Sequence, residues 1–449
     1  MMSLHRRRRL KFASLLLVGV LAAGGIPLTH VSAQGSSPAI RGTSCTKVGA
    51  KRKVGKVSYS CVLVGKRRIW AVADNTGSSA TITTTTSVAA AASSTAAASQ
   101  CKLSDPNGKR NGISLGFPRL AERLKSTGTV RIGVVFVDFP DAAATRSTQS
   151  VYSLISPDAE RRYAAMSYGK ATFEFVPLQR WLRMSRASSA YSMSRTNTTF
   201  NTHRDFITEA LNLSAGSLSV SDLDGFVVLA NPDATAFDFG PAFTPNDAFW
   251  AATAAGRAWM NGATSGTDLL NWGSGWFNHE FGHAMGLVDL YAFGGATNRF
   301  VGHFSLMGLI NGGAPELFGW ERWSLGWLSD SEVACLTSGS ATVDLEPIAR
   351  TGGTKIAVVK LSSSRALVVE SRRRLGYDTG LTKEGVVAYV VDTSVRSGEG
   401  VIRVLPINDA DVTKMSVALG AGESLTYEGA QISVTSSGPS GDRITIRVN

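Results

Sequence analysis

The chain has 449 residues, 43% of them hydrophobic and 18% charged, with a net charge of +12. That is enough material for two or three domains of roughly 150 residues each, so a sizeable core is assured. The charge is lopsided: residues 1–71 hold 14 of the 46 Lys and Arg and none of the 34 Asp and Glu, and beyond them 32 basic residues face 34 acidic ones, which excludes reading the main body as a nucleic-acid binder.

The first predicted element is a secretory signal peptide over residues 1–33. Arg6 to Arg9 and Lys11 form its basic head, Phe12 to Ile26 its apolar middle, and Val31-Ser32-Ala33 a small-residue exit before Gln34. The apolar run is short for a membrane span, which needs about 20 residues, and no later segment is apolar enough to cross a bilayer. An exported protein is expected, extracellular or associated with the cell wall, with no span left once the signal is removed.

Residues 34–75 read as a small basic module in which short β-prone runs, broken by Gly, lie between Cys45 and Cys61. A disulfide-closed hairpin is expected, and the cationic face of residues 41–71 suits anionic cell-wall polymer. Cys101 and Cys335 complete an even cysteine count, which fits an oxidising compartment. Of three possible connectivities, Cys45 with Cys61 closes a small loop and Cys101 with Cys335 ties distant segments; a free Cys101 thiol remains an alternative way to block a metal. Residues 76–100 are nearly all Thr, Ser and Ala and read as a linker.

From Cys101 the pattern is that of a folded domain reaching to about residue 330. Val130 to Phe139 predicts a central strand, nearly continuous in apolar residues. A helix follows over 157–168, then a strand at Phe173 to Val176, a helix from His203 to Leu213 and a strand from Gly225 to Ala230. Helices among strands imply an α+β layer arrangement, with a further helix behind the sheet. Beyond Trp327 the pattern turns to β, defining a β-rich domain over 331–449 of sandwich or barrel type. Its strands are expected at Lys355–Leu361, Ala366–Glu370, Val386–Val391, Val401–Leu405, Gln431–Val434 and Arg443–Val448.

The further helix carries the chemistry. In His279-Glu280-Phe281-Gly282-His283 the two imidazoles are four residues apart and share a helical face, so they can grip one ion. Glu280 lies beside the first of them, where it can act as a base on water. Gly286 permits the left-handed geometry that ends a helix, and Asp289 follows the reversal as a candidate third ligand. Two nitrogens, one carboxylate oxygen and one open position describe a catalytic Zn2+ centre rather than a structural one. Glu316, Glu321 and His303 compete for the third place. Calcium is possible, since Asp222, Asp224, Asp233 and Asp238 cluster loosely, but they form no ordered loop motif.

His279-Glu280-x-x-His283-x-x-Gly286-x-x-Asp289, with Met307-Gly308 downstream, resembles the metzincin peptidases, whose methionine turn floors the zinc site. More specifically, the chain resembles the immune inhibitor A family of secreted metallopeptidases. The likeness covers about residues 101–449: His279 through Tyr291, Met307-Gly308, Leu317 to Leu328, Ser167 to Lys170, the strand ending in Asp138, and Val368 to Arg372 with Val390 to Asp392. The resemblance implies a metzincin-like fold (a mixed sheet plus an active-site helix), a zinc endopeptidase acting on proteins or peptides, and Met307 as structural support. Leu309 stands where some metzincins carry an oxyanion-assisting Tyr; Tyr291 is nearby without an assigned role. Two other readings stay open: a catalytically inert exported wall-binding protein, and a zinc hydrolase of a non-peptide bond.

Overall fold

A computed structural model describes residues 44–54, 57–64, 67–72, 95–106, 113–243, 250–253, 256–259 and 261–448. The expected signal peptide and most of the Thr/Ser/Ala-rich stretch lie outside these residues. The chain divides into two compact units, residues 1–87 and 88–449. Its described part is mixed α+β with several sheets.

In the first unit, β1 (Lys51–Val54), β2 (Val57–Val64) and β3 (Arg67–Val72) form an antiparallel meander in which β2 is central. The expected disulfide-closed β module is present, and its meander has three strands. The third is supplied by the run Arg67 to Val72, which lies outside the loop that Cys45 and Cys61 close. Cys61 is buried, whereas Lys51, Arg52 and Lys53 are exposed along β1.

The second unit is built around a five-stranded sheet of order β5-β4-β6-β10-β7. β4 (Gly128–Asp138) runs parallel to β5 (Ala171–Arg183) and to β6 (Gly225–Ala230); β10 (Asn261–Ser265) is parallel to β6, and the edge strand β7 (Ala242–Phe243) is antiparallel to β10. The near-continuous apolar run of β4 follows from burial on both faces. Val130, Ile132, Val134 and Phe136 enter one core with α2 (Asp158–Met166) and α5 (Ser274–Ala284), while Val135, Val137 and Phe139 enter a second with α3 (Phe200–Ser214). The short α1 (Thr148–Tyr152) and α4 (Asp268–Trp272), and the antiparallel pair β8 (Trp250–Thr253) and β9 (Gly256–Trp259), complete this part.

After α6 (Gly319–Ser324) come two further sheets. One has the order β11 (Val333–Leu336), β13 (Ile356–Lys360), β14 (Arg365–Arg372), β15 (Gly385–Asp392), β16 (Ile402–Val404); the other has β12 (Gly339–Leu345), β19 (Gly441–Val448), β18 (Ala430–Gly438), β17 (Ser424–Tyr427). Alternation along the strands sends Ala357, Val359, Leu367 and Val369 into a core shared with Ile432, Ile444 and Ile446 of the second sheet. The opposite faces of β13 to β15, with Val358, Val368, Val387 and Tyr389, join the core that holds α2 and α5. One core therefore runs across residue 330, and the Cys101–Cys335 disulfide lies within it. Residues 95–101 belong to this unit as well, since Ala96 N–H donates to Cys335 O at 2.8 Å.

Candidate metal centre

α5 is fixed before its polar residues are considered. Phe277 and Phe281 stack at 4.0 Å between centroids and meet Phe173 of β5 edge-on. Tyr163 of α2 donates its hydroxyl to Asn278 O, and Asn278 returns Nδ2–H to Ala159 O. With its apolar side committed, the helix turns His279 and His283 the other way. It ends in a Schellman arrangement: Gly286 N–H donates to His283 O and Leu287 N–H to Gly282 O, with Gly286 at a φ of 109°. The reversal carries the chain back to Asp289.

His279, His283 and Asp289 offer ligand atoms that all lie within 4.8 Å of one another. Asp289 Oδ1 is 3.0 Å from His283 Nε2 and 3.3 Å from His279 Nε2. The other ring nitrogens are already engaged. His279 Nδ1 is 2.9 Å from Leu306 O, and His283 Nδ1 is 2.9 Å from Leu287 O. A ring nitrogen facing a carbonyl oxygen carries the hydrogen, so both Nε2 lone pairs point into the cluster. Three electron-pair donors on one point call for a cation, and two imidazoles with a carboxylate suit Zn2+. The donor set fits the metal that the motif implies.

The electrostatics show that the cluster draws positive charge, which a proton on His283 or a cation would supply. Burial works against the charge on His283, but the Asp289 carboxylate outweighs it and raises the imidazole to about 9. Burial likewise opposes ionisation of Asp289, and the two imidazoles overcome it, holding the carboxyl well below the ordinary carboxylate range. Glu280 is raised by burial first, against the pull of His279 and His283. Its Oε2 accepts from Ala242 N–H of the edge strand β7 at 2.7 Å, and no other hydrogen bond to it occurs among the described residues.

The turn at residues 305–308 supports the helix from below. Ser305 adopts a left-handed φ of 62°, and its Oγ accepts from Met307 N–H and donates to Glu321 Oε2. This turn presents Leu306 O to His279 and Met307 to Gly282. A Cβ at position 282 would meet Met307 Sδ at 2.6 Å, so the glycine within the motif is what lets the sulfur lie against the helix.

Other sequence candidates are placed elsewhere. Glu316 forms a buried ion pair with Arg322, and its Oε1 accepts from Tyr377 N–H. Glu321 accepts from Ser305 and from Phe318 N–H. His303 donates its backbone N–H to Thr413 O, away from the cluster. Of the four dispersed acids, Asp224 pairs with Lys125, Asp233 with Arg146, and Asp238 accepts from Arg195 N–H; among the described residues they form no metal cluster.

Three contacts were not legible in the motif. Ser397, 108 residues on, accepts Asp289 N–H through Oγ at 2.9 Å and donates back to Asp289 Oδ2 at 3.3 Å, while Gly398 N–H donates to Asp289 O at 3.1 Å. The Tyr291 ring stacks on His279 at 6.2 Å between centroids, and its phenol is pushed up by burial and then by the Asp289 charge. A cavity of about 240 Å3 opens beside His279, Glu280 and Tyr291, with Arg195, Asp268 and Trp272 in its wall. A larger one of about 550 Å3 touches Val288, Phe293 and Ser397 but not His279, His283, Asp289 or Glu280, so the smaller is the one that borders the cluster.

No model of a known protein family matches the chain, and no curated protein matches it significantly.

Proposed function

We propose that the chain is an exported zinc-dependent endopeptidase, similar in kind to the immune inhibitor A enzymes. The observation that carries this reading is the convergence of two Nε2 lone pairs and Asp289 Oδ1, with Glu280 beside them at the mouth of a cavity. Export is supported by the leader-like first 33 residues and by two disulfides.

Zn2+ held by His279, His283 and Asp289 would acidify water and polarise a scissile carbonyl. Glu280 supplies the proton traffic. Its carboxylate takes a proton from the attacking water and passes it to the departing amine. Burial favours the protonated form that this second step needs, and the Ala242 N–H keeps the side chain aimed. Leu306 O and Leu287 O hold the imidazoles in the tautomer that binds through Nε2. Tyr291, kept neutral, is a hydrogen-bond donor in the wall of the site.

The test is metal analysis combined with digestion of casein by the purified full chain, with and without chelator. One zinc per chain and chelator-sensitive digestion are expected, and Glu280→Gln should retain the metal while losing roughly 10²- to 10⁴-fold in turnover. Absence of stoichiometric zinc overturns the reading, as does full activity in the Gln variant. Zinc uptake without digestion of any protein would move the assignment to a non-peptide bond or to an inert domain.

A further inference from the structure

We propose that Arg195 forms an anion subsite in the cleft, receiving a carboxylate of the bound peptide, so that acidic or carboxylate-terminated substrates are preferred. The inference deepens the peptidase reading and rests on it for the word substrate, though the subsite itself does not.

Arg195 is held from both sides of its backbone. Its N–H donates to Asp238 Oδ1 at 3.0 Å, and Asp238 N–H donates to Met193 O at 3.1 Å, fastening this segment to the loop that leads into β7. Its guanidinium carbon lies 5.6 Å from the Phe239 ring centroid and 5.3 Å from that of Trp272. All three side chains line the cavity that also exposes His279, Glu280 and Tyr291. Aromatic faces steady a guanidinium without neutralising it, and they leave its fork of N–H donors for a planar acceptor.

Among the described residues no carboxylate forms an ion pair with Arg195. Asp268 is the nearby acid in the wall; it feels the Arg195 charge but makes no ion pair with it, and its carboxylate is held by backbone. It is buried at 3% exposure, its Oδ1 accepts from Gly266 N–H at 2.8 Å, and burial pushes it up to about 6. An exposed guanidinium flanked by two aromatic rings, with no ion-pair partner among the described carboxylates and in the wall of the cavity beside the proposed metal centre, is suited to bidentate capture of a carboxylate. An internal Asp or Glu side chain and a free C-terminus offer the same group.

The test uses the zinc-loaded full chain carrying Glu280→Gln, which keeps the cleft and suppresses turnover. Three fluorescent peptides of one sequence are titrated: an internal Glu with blocked ends, Gln at that place with blocked ends, and the Gln peptide with a free C-terminus. At least one carboxylate peptide should bind roughly tenfold or more tighter than the neutral one, and which does so identifies the source. Adding Arg195→Gln should erase that advantage and leave the neutral peptide unchanged, while Arg195→Lys restores part of it. Equal binding of all three peptides overturns the proposal, as does an equal loss for all three in the Gln variant. The two readings fail separately. Cleavage by the native chain without charge preference removes the subsite alone; carboxylate preference in binding without any cleavage removes the peptidase reading alone.

Discussion

Asp289 and Glu316 are both buried acids downstream of the paired imidazoles, and their neighbours decide what each can do. Asp289 faces two Nε2 lone pairs, whereas Glu316 is matched to the Arg322 guanidinium. Asp289→Ala should abolish zinc uptake while the fold persists. Glu316→Ala should leave the metal content unchanged but strand a buried Arg322, lowering stability by about 3–5 kcal/mol. Metal analysis and denaturant midpoints on the two proteins check both outcomes; zinc retained in Asp289→Ala would refute the ligand assignment. At this scale the His pair and Glu280 were legible because a four-residue helical spacing is a local rule. The third ligand was not, since Glu316 and Glu321 also follow the motif, and only their three-dimensional partners separate them from Asp289.

Elements were legible where their periodicity was strong. β6 runs over Gly225–Ala230 as its apolar pattern predicts, and α3 extends the expected 203–213 by a few residues to its Thr199 cap. β5 is longer than the alternation Phe173 to Val176 suggested: it continues to Arg183 through Pro177, which an edge strand tolerates because the missing N–H can face outward. β10 left no apolar signal at all. Its residues, Asn261-Gly-Ala-Thr-Ser, are small and polar, yet all five are buried, and a Cβ at Gly262 would lie 1.8 Å from Phe226 O. Close backbone approach, not side-chain hydrophobicity, selects that sequence. α3 carries a consequence of its own. His203 is buried, its Nε2 sits 3.0 Å from Thr264 Oγ1 of β10, and burial lowers it to about 3. The unfolded chain takes up this proton near pH 6.5 and the folded chain does not, so stability is intact above that pH. It is lost on acidification between pH 6.5 and 3, at up to about 1.4 kcal/mol per pH unit. His203→Gln should flatten this limb of a melting-temperature profile, and an unchanged slope would reject the assignment.

In the whole molecule, the β-rich segment contributes directly to the centre. Ser397, in the loop after β15, holds Asp289 through both its N–H and its Oδ2. Ser397→Ala should weaken zinc affinity by roughly 10- to 100-fold, as loss of an outer-shell partner does, with little change in melting temperature; competition against a chromogenic chelator measures it, and unchanged affinity would argue that Asp289 is positioned by its own loop alone. The sequence showed a β region without a chemical motif, which invited reading it as an accessory. A single serine meeting an acid 108 residues earlier has no local signature, so that link emerges only from the fold.

The bond from Ser397 to Asp289 also imposes an order of events on biogenesis. A chain still emerging from its synthesis already possesses both imidazoles and the glutamate, yet has nothing to steady the carboxylate until the loop after β15 arrives. On the proposed metallopeptidase reading, full grip on the cation would come late, after most of the polypeptide has left the ribosome, which would shorten the period in which a maturing molecule could act on its neighbours.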